Sequence, residues 1–255
     1  MLELKALTKR FPVTGKHRKQ TGQTSLTAVD GLSLQVSGGR IYGLLGANGA
    51  GKTTTLRMVA TMLTPSEGTA TVDGCDIITR ADEVRRKTGL LFGGDVGLYD
   101  RLTAYENIQY FARLNDVPDE VSSARIHELA EQFRFTEHLQ KAAGKLSKGT
   151  RQKVSFARAI IHDPQLMLFD EPTLGLDVTA KKEAEDFILH CRDKGKTIVL
   201  SDHTLSVVER LCDRIGILGK GKLLGEGTID ELTRQHECKS LEEVFFKLAE
   251  ENAAL

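Results

Sequence analysis

The run Gly46-Ala47-Asn48-Gly49-Ala50-Gly51-Lys52-Thr53 sets three glycines, a lysine and a threonine at the spacing Gly-x-x-x-x-Gly-Lys-Thr. Glycine lets the backbone curl until several N–H groups point into one concavity, which suits an anion with many oxygens. Lys52 adds a point charge for the outer phosphates of a nucleotide, and the Thr53 hydroxyl is a ligand for Mg²⁺. A second chemical feature lies far downstream, where the apolar run Leu166 to Phe169 ends in Asp170-Glu171. A carboxylate at a strand end beside such a loop holds Mg²⁺ through water, and Asp170 is placed for that. A carboxylate one residue on can deprotonate an attacking water, which makes Glu171 the candidate general base.

These groups need a scaffold, and the flanking pattern supplies one. Ile41 to Leu45 is an apolar run that reads as a buried strand, and a helix is expected from Thr54 to Met62. Strand, loop and helix in that order are the context that a phosphate-gripping loop requires. Met1 to Leu7, Leu26 to Val36, Thr69 to Val72, Gly89 to Phe92, Thr197 to Leu200 and Ile215 to Leu218 also read as strands. Ala81 to Lys87 reads as a short charged helix. From Thr103 to Arg158 apolar residues recur at helical spacing, with Ile108, Phe111, Ala112 and Asn115 on one face and Ile126, Leu129, Ala130 and Phe133 on another. A helix over 179–193 is expected to bury Ala180, Ala184, Phe187, Ile188 and Cys191. Helices are also expected over 204–212 and near 228–235 and 240–251, with Lys220-Gly221-Lys222 as a hairpin turn. Strands alternating with helices around a phosphate loop imply an α/β chain with a mostly parallel sheet.

Composition removes several classes of function. With 35 acidic and 35 basic residues, the chain has no net charge to draw it to nucleic acid, and no nucleic-acid partner is expected. Tryptophan is absent and aromatics make up 5%, which disfavours base stacking. The four cysteines show no CxxC spacing and no leader opens the chain, so a reduced compartment is expected. No apolar run approaches the roughly eighteen residues of a membrane span, so any service to a membrane must pass through another chain. Pro12 to Ser25, with Lys16, Arg18 and Lys19, reads as a loop between two strands. It is either a tolerated surface insertion or a basic contact to anionic lipid or a partner.

The segment Leu146-Ser147-Lys148-Gly149-Thr150-Arg151-Gln152, upstream of Asp170, resembles the signature sequence of ATP-binding cassettes, Leu-Ser-Gly-Gly-Gln. Leu176-Asp177 resembles the D-loop of that family, His203 its switch histidine and Phe11 its adenine-stacking aromatic. The motifs follow in the family's order, and the chain is similar to ABC transporter ATP-binding subunits over most of its length. The resemblance implies a P-loop NTPase fold of RecA-like type, with an antiparallel β subdomain and a helical subdomain inserted at about 98–160. Residues 1–221 would form the nucleotide-binding domain, and 222–255 a hairpin and helices extending it. It implies an ATPase that uses ATP and Mg²⁺. Gly46, Asn48, Gly49, Ala50, Gly51, Lys52, Thr53 and Thr54 would cradle the phosphates, with Thr53 and Asp170 on the metal. Glu171, His203 and Lys52 would serve catalysis. Ser147, Gly149 and Asp177 would face the nucleotide of a second copy in a head-to-tail homodimer that encloses two ATPs. The partner implied is a membrane-spanning permease subunit, which would hold the chain at the cytoplasmic face of the membrane.

The chain departs from the pattern at two places. Lys148 and Thr150 replace the second Gly and the Gln of the signature, and the Lys148 charge is placed to reach a phosphate or a partner's carboxylate. After the strand at 89–92 the family places a Gln, whereas this chain has Gly93, Gly94 and Asp95. Either Asp95 substitutes as ligand or water completes the metal shell. Residues 69–74, 98–108 and 241–245 resemble the NatA-type group, whose members serve ABC-2-type exporters and include sodium-extrusion systems; the cargo is chosen by the membrane subunit, and export of a drug, lipid or other solute is the alternative to Na⁺. One signature, no heptad run and no net basic charge speak against a soluble ABC ATPase of ribosomes or DNA. Lys52, Asp170, Glu171 and His203 speak against a regulator that binds nucleotide without turnover. A groove between 93–97 and the helical region is expected to take a short helix of the membrane subunit, with Leu98, Tyr99 and Arg101 in its wall.

Overall fold

The computed structural model describes residues 1–13, 24–92 and 97–254. Lys16, Arg18 and Lys19 of the basic insertion, and Gly93, Gly94 and Asp95, lie outside the described residues. Two sheets organise the rest. The antiparallel sheet comprises β1 (Leu2–Pro12), β2 (Ser25–Val36), β4 (Glu67–Val72) and β5 (Cys75–Asp76), in the order β2-β1-β4-β5. The central sheet comprises β3 (Ile41–Gly46), β6 (Thr88–Phe92), β7 (Leu166–Asp170), β8 (Thr197–Asp202), β9 (Arg214–Gly219) and β10 (Lys222–Gly227), in the order β10-β9-β3-β8-β7-β6. Its pairs are parallel except for β10 on β9, which closes through the Lys220-Gly221 turn expected from sequence.

β1 is longer than its alternating pattern indicated. It runs through Thr8 to Pro12, and Pro12 pairs with Ser25 instead of opening a loop. The alternation fails at Ala6, where φ is +48° and the register to both neighbours shifts. This bulge puts Leu7 and Thr8 both into the interior, which strict alternation does not allow. Gly68 of β4 faces it, and a Cβ there would lie 2.2 Å from the Ala6 carbonyl oxygen.

Nine α-helices are found among the described residues: α1 (Lys52–Val59), α2 (Ala81–Lys87), α3 (Ala104–Leu114), α4 (Asp119–Gln132), α5 (Lys148–Ile160), α6 (Val178–Asp193), α7 (Leu205–Leu211), α8 (Ile229–Gln235) and α9 (Leu241–Ala254). α3 starts at Thr103 through a reciprocal cap: the Thr103 hydroxyl accepts the Glu106 N–H (3.1 Å) and the Glu106 carboxylate accepts the Thr103 N–H (2.7 Å). Removing such a cap costs about 1 kcal/mol. α3, α4 and α5 form the helical region read between 103 and 158, and they share one core with the central sheet. Phe133 meets Phe187 of α6 at 4.4 Å, and Phe156 meets Phe169 of β7 at 5.4 Å, both edge to face. Such aromatic pairs contribute roughly 0.5–1.5 kcal/mol each beyond burial. β10, α8 and α9 pack on β9 and α7 through Leu232, Leu241, Val244 and Leu248.

Two side chains differ from expectation. Ala180 is only half buried, because it lies in the first turn of α6 against the signature loop. Leu98 is 7% exposed and belongs to the core with Ile108 and Phe135, so it cannot line a groove open to a partner.

Candidate active site

β3 is buried along its whole length between β8 and β9, and it delivers the phosphate loop at the carboxyl end of the central sheet. Gly46 is required there by contact, since a Cβ would stand 2.6 Å from the Leu218 carbonyl oxygen of β9. Gly51 is required twice over. Its φ is +104°, and a Cβ would meet the Ala28 carbonyl oxygen at 2.6 Å. Gly49 has φ +83° and open space around it, so its backbone is presented outward. Ala50 is buried beneath the loop, while Asn48 is exposed at its tip. α1 begins immediately, with no side-chain cap and no acidic residue in its first turn. Its leading N–H groups and the positive end of its dipole are therefore left for an anion.

Lys52 is 5% exposed, and its Nζ donates to the carbonyls of Gly46 (2.6 Å) and Ala47 (3.2 Å). Burial pushes its pKa down, while Glu171, Asp170 and Asp202 nearby favour the charged form. A cation held only by carbonyls in a buried loop is poised for stronger acceptors.

Asp170 ends β7 and is 7% exposed. The Thr53 hydroxyl donates to one of its oxygens at 2.7 Å, and the Ser201 hydroxyl donates to the other. Ser201 is fully buried, and the parallel register places it beside Asp170. The strand pattern alone gave no sign of this partner, because strand order and register decide it.

Glu171 follows with φ +49°, a left-handed conformation that costs a non-glycine residue roughly 1 kcal/mol or more. The site holds it there from three sides. The Glu171 N–H donates to the Ser201 carbonyl (3.0 Å), the Glu171 carbonyl accepts from Leu174 (3.0 Å), and Glu171 Oε1 lies 3.0 Å from His203 Nδ1. Asp202, which sequence reading passed over, places His203. Its Oδ1 accepts the N–H groups of both His203 and Thr204 at 2.8 Å, and the residue is 3% exposed. The signal available was a carboxylate just ahead of a helix start, where an Asp accepts orphan N–H groups.

The structure thus brings Gly46 to Thr54, Asp170, Glu171 and His203 together. Ser147, Gly149 and Asp177 form a second cluster. Ser147 caps α5, its hydroxyl accepting the Thr150 N–H at 3.2 Å, and Asp177 caps α6, its carboxylate accepting the Ala180 N–H at 2.9 Å. A Cβ on Gly149 would lie 3.3 Å from that of Ala180. Lys148 does not extend freely outward as its charge suggested. Its Nζ lies over Gly175, where a Cβ would come within 2.2 Å. Gln152 binds the same turn from below, donating to the Pro172 carbonyl at 2.7 Å. Phe11 stands apart near the end of β1, half buried, with the Lys9 Nζ 5.4 Å from its ring centre.

The donor set beside the loop is a hydroxyl and a carboxylate, hard oxygens of the kind Mg²⁺ takes while keeping waters and substrate oxygens. Among the described residues no group of three or more His, Cys, Asp or Glu could hold a metal ion alone, so a metal here would be shared with phosphate oxygens. No helix among the described residues is long and apolar enough to cross a membrane.

The chain as a whole is similar to known proteins. Residues 29–174 match the family described as ABC transporter. The chain is 42% identical over 228 residues to the ABC transporter ATP-binding protein NatA of Bacillus subtilis, covering 89% of this chain and 93% of that one. Among solved structures, an ATP-binding subunit of an ABC transporter superposes with a TM-score of 0.84 at 30% identity, covering 97% of this chain and 99% of the other. The ATP-binding cassette MJ0796, a dimer in a post-hydrolysis state with ADP and Pi, superposes with a TM-score of 0.77 at 26% identity, covering 89% and 98%.

Proposed function

The chain belongs to the ABC transporter ATP-binding family, and from that premise we propose a residue-level mechanism, a partner and a cargo. It is an ATP-binding subunit of an ABC transporter, and it hydrolyses ATP to drive transport. The observation that carries the mechanism is the contact of His203 with Glu171, beside the Thr53–Asp170 pair and the phosphate loop.

The N–H groups of the loop and α1 bind the phosphates, and Lys52 exchanges the Gly46 and Ala47 carbonyls for phosphate oxygens. Thr53 and Asp170 would hold Mg²⁺, which would supply positive charge against the phosphate oxygens. Ser201 fixes the Asp170 carboxylate from behind. Glu171 takes the proton of the attacking water. His203 leaves Glu171 for the terminal phosphate, and Asp202 keeps the histidine backbone in place. Phe11 stacks on the adenine.

The ATP-bound state is a head-to-tail homodimer in which Ser147, Gly149 and Asp177 face the partner's nucleotide. Leu174 and Val178, 46% and 88% exposed on either side of Asp177, support this as an apolar rim awaiting a second copy. The membrane partner is a separate permease subunit that holds the chain at the inner face of the membrane. Its docking surface is supported by Tyr99 and Tyr110, 49% and 42% exposed and packed edge to face at 5.4 Å, beside the exposed Leu114. Arg158 stiffens this face by lying 4.5 Å from the Phe111 ring centre and donating to the Gly97 carbonyl at 2.7 Å.

The cargo is Na⁺, exported through an ABC-2-type permease. The resemblance of 69–74, 98–108 and 241–245 to NatA-type subunits supports this. The test is ²²Na⁺ efflux from cells expressing the chain with its membrane subunit, against Lys52→Ala. Efflux lost in the variant supports the cargo. Equal efflux from both removes it.

A further inference from the structure

Glu185 is the one acidic residue buried on α6, with its side chain 2% exposed, and it forms an ion pair with Arg210 of α7. This is the only ion pair joining the two helices among the described residues. Packing alone does not call for it. Ala184 and Ile188 of α6 already share a core with Val207 and Leu211 of α7. A buried carboxylate paired with a half-exposed arginine is no better for stability than an apolar residue of similar size. The role left for the pair is to fix the register of the two helices, the best-attested use of a buried charged or polar group.

The two helices begin at the two functional clusters. α6 is capped by Asp177, and Glu185 lies about 12 Å along the axis from it. α7 starts just after His203 and Thr204, whose N–H groups are pinned by Asp202 at the end of β8, and Arg210 sits in its last turn. α7 is therefore anchored at one end beside His203 and tied at the other end to α6. A shift of α6 would therefore be felt at Arg210 and along α7 to its start beside His203, which lies 3.0 Å from Glu171.

We propose that the Glu185–Arg210 pair is a positioning element that transmits partner engagement at Asp177 to His203. The proposal rests on the ATP-dependent homodimer proposed above. It assigns these residues no contact with nucleotide.

The test replaces the pair by apolar residues that keep the packing, in Glu185→Leu/Arg210→Met of the full chain. Melting temperature and the Kd for a fluorescent ATP analogue should stay at wild-type values, while kcat falls about tenfold with KM within about twofold. The same double change is also made in the Glu171→Gln chain, and ATP-induced dimerisation is followed by light scattering. Dimerisation equal to that of Glu171→Gln alone, together with the lost kcat, supports transmission through the pair. Wild-type kcat in the double variant overturns the proposal. So does loss of ATP-induced dimerisation caused by the double change, because the pair would then serve assembly. Failure of Glu171→Gln itself to dimerise with ATP brings down the homodimer beneath the proposal, and that result is separate from anything the pair does.

Discussion

His203 Nδ1 lies 3.0 Å from Glu171 Oε1, so the candidate general base and the candidate switch histidine hold one another. Glu171 keeps a left-handed backbone at φ +49° while doing so. That backbone is held between the Ser201 carbonyl and the following turn, and the carboxylate meets the histidine. In the mechanism proposed above, nucleotide competes with Glu171 for His203. The chemistry of each cluster follows from such positions.

Lys52 and Lys148 are both cations near helix starts, yet they have different surroundings. Lys52 is buried within the phosphate loop, and Lys148 is exposed over Gly175. Lys52→Ala is expected to weaken MgATP binding about tenfold to a hundredfold, the loss of a charged hydrogen bond. Lys148→Ala is expected to bind within about twofold of wild type, because its amine lies over the same chain's Gly175 turn and not in the phosphate loop. Titration calorimetry separates the two, and equal losses would show that Lys148 belongs to the nucleotide's own site.

Tyr99 and Arg101 are exposed beside the helical layer, while neighbouring Leu98 is buried in it. Changing Tyr99 and Arg101 together to Ala should leave the basal ATPase of the isolated chain within about twofold, since surface changes of this kind perturb the fold little. Pull-down by the membrane subunit should fall several-fold. Wild-type pull-down and wild-type transport would exclude this face as the docking surface.

Asp76 makes an acid-stability expectation. Its carboxylate accepts from the Thr69 hydroxyl (2.6 Å) and from the N–H groups of Ile78 and Thr79 (2.9 Å each), which pulls its pKa from the ordinary 3.8 down to about 2. A pKa lower in the folded chain means that the unfolded chain binds the proton more readily. Asp76 therefore contributes its full stability above pH about 4 and loses it as pH falls towards about 2. Asp76→Asn should flatten the part of the acid unfolding curve that lies in that window and lower stability at pH 7. An unchanged curve would mean that the turn at Asp76 does not depend on its charge.

Much of this architecture can be read from residue order. The phosphate loop, the Asp170-Glu171 strand end, α2 over Ala81–Lys87 and the hairpin turn at Lys220-Gly221 each carry a local pattern of spacing or charge. Ser147 and Asp177 were legible through their resemblance to family motifs, and the structure shows each capping a helix, where a hydroxyl or carboxylate accepts an orphan N–H. What could not be read depended on register or on contact across the fold. Ser201 meets Asp170 only because β7 and β8 pair in parallel at that step. The bulge at Ala6 breaks an alternation that otherwise looked regular. The resting place of Lys148 is set by Gly175, a residue on another loop with no side chain to block it.

The most direct measurement of the central claim is steady-state ATPase of Glu171→Gln beside wild type, with the oligomeric state in ATP read by light scattering on the same samples. Removing the base while keeping its hydrogen bond to His203 should lower turnover about a hundredfold or more, leave ATP affinity intact and hold the chain as an ATP-bound dimer. Hydrolysis at the wild-type rate, or a chain that stays monomeric with ATP bound, would contradict the account.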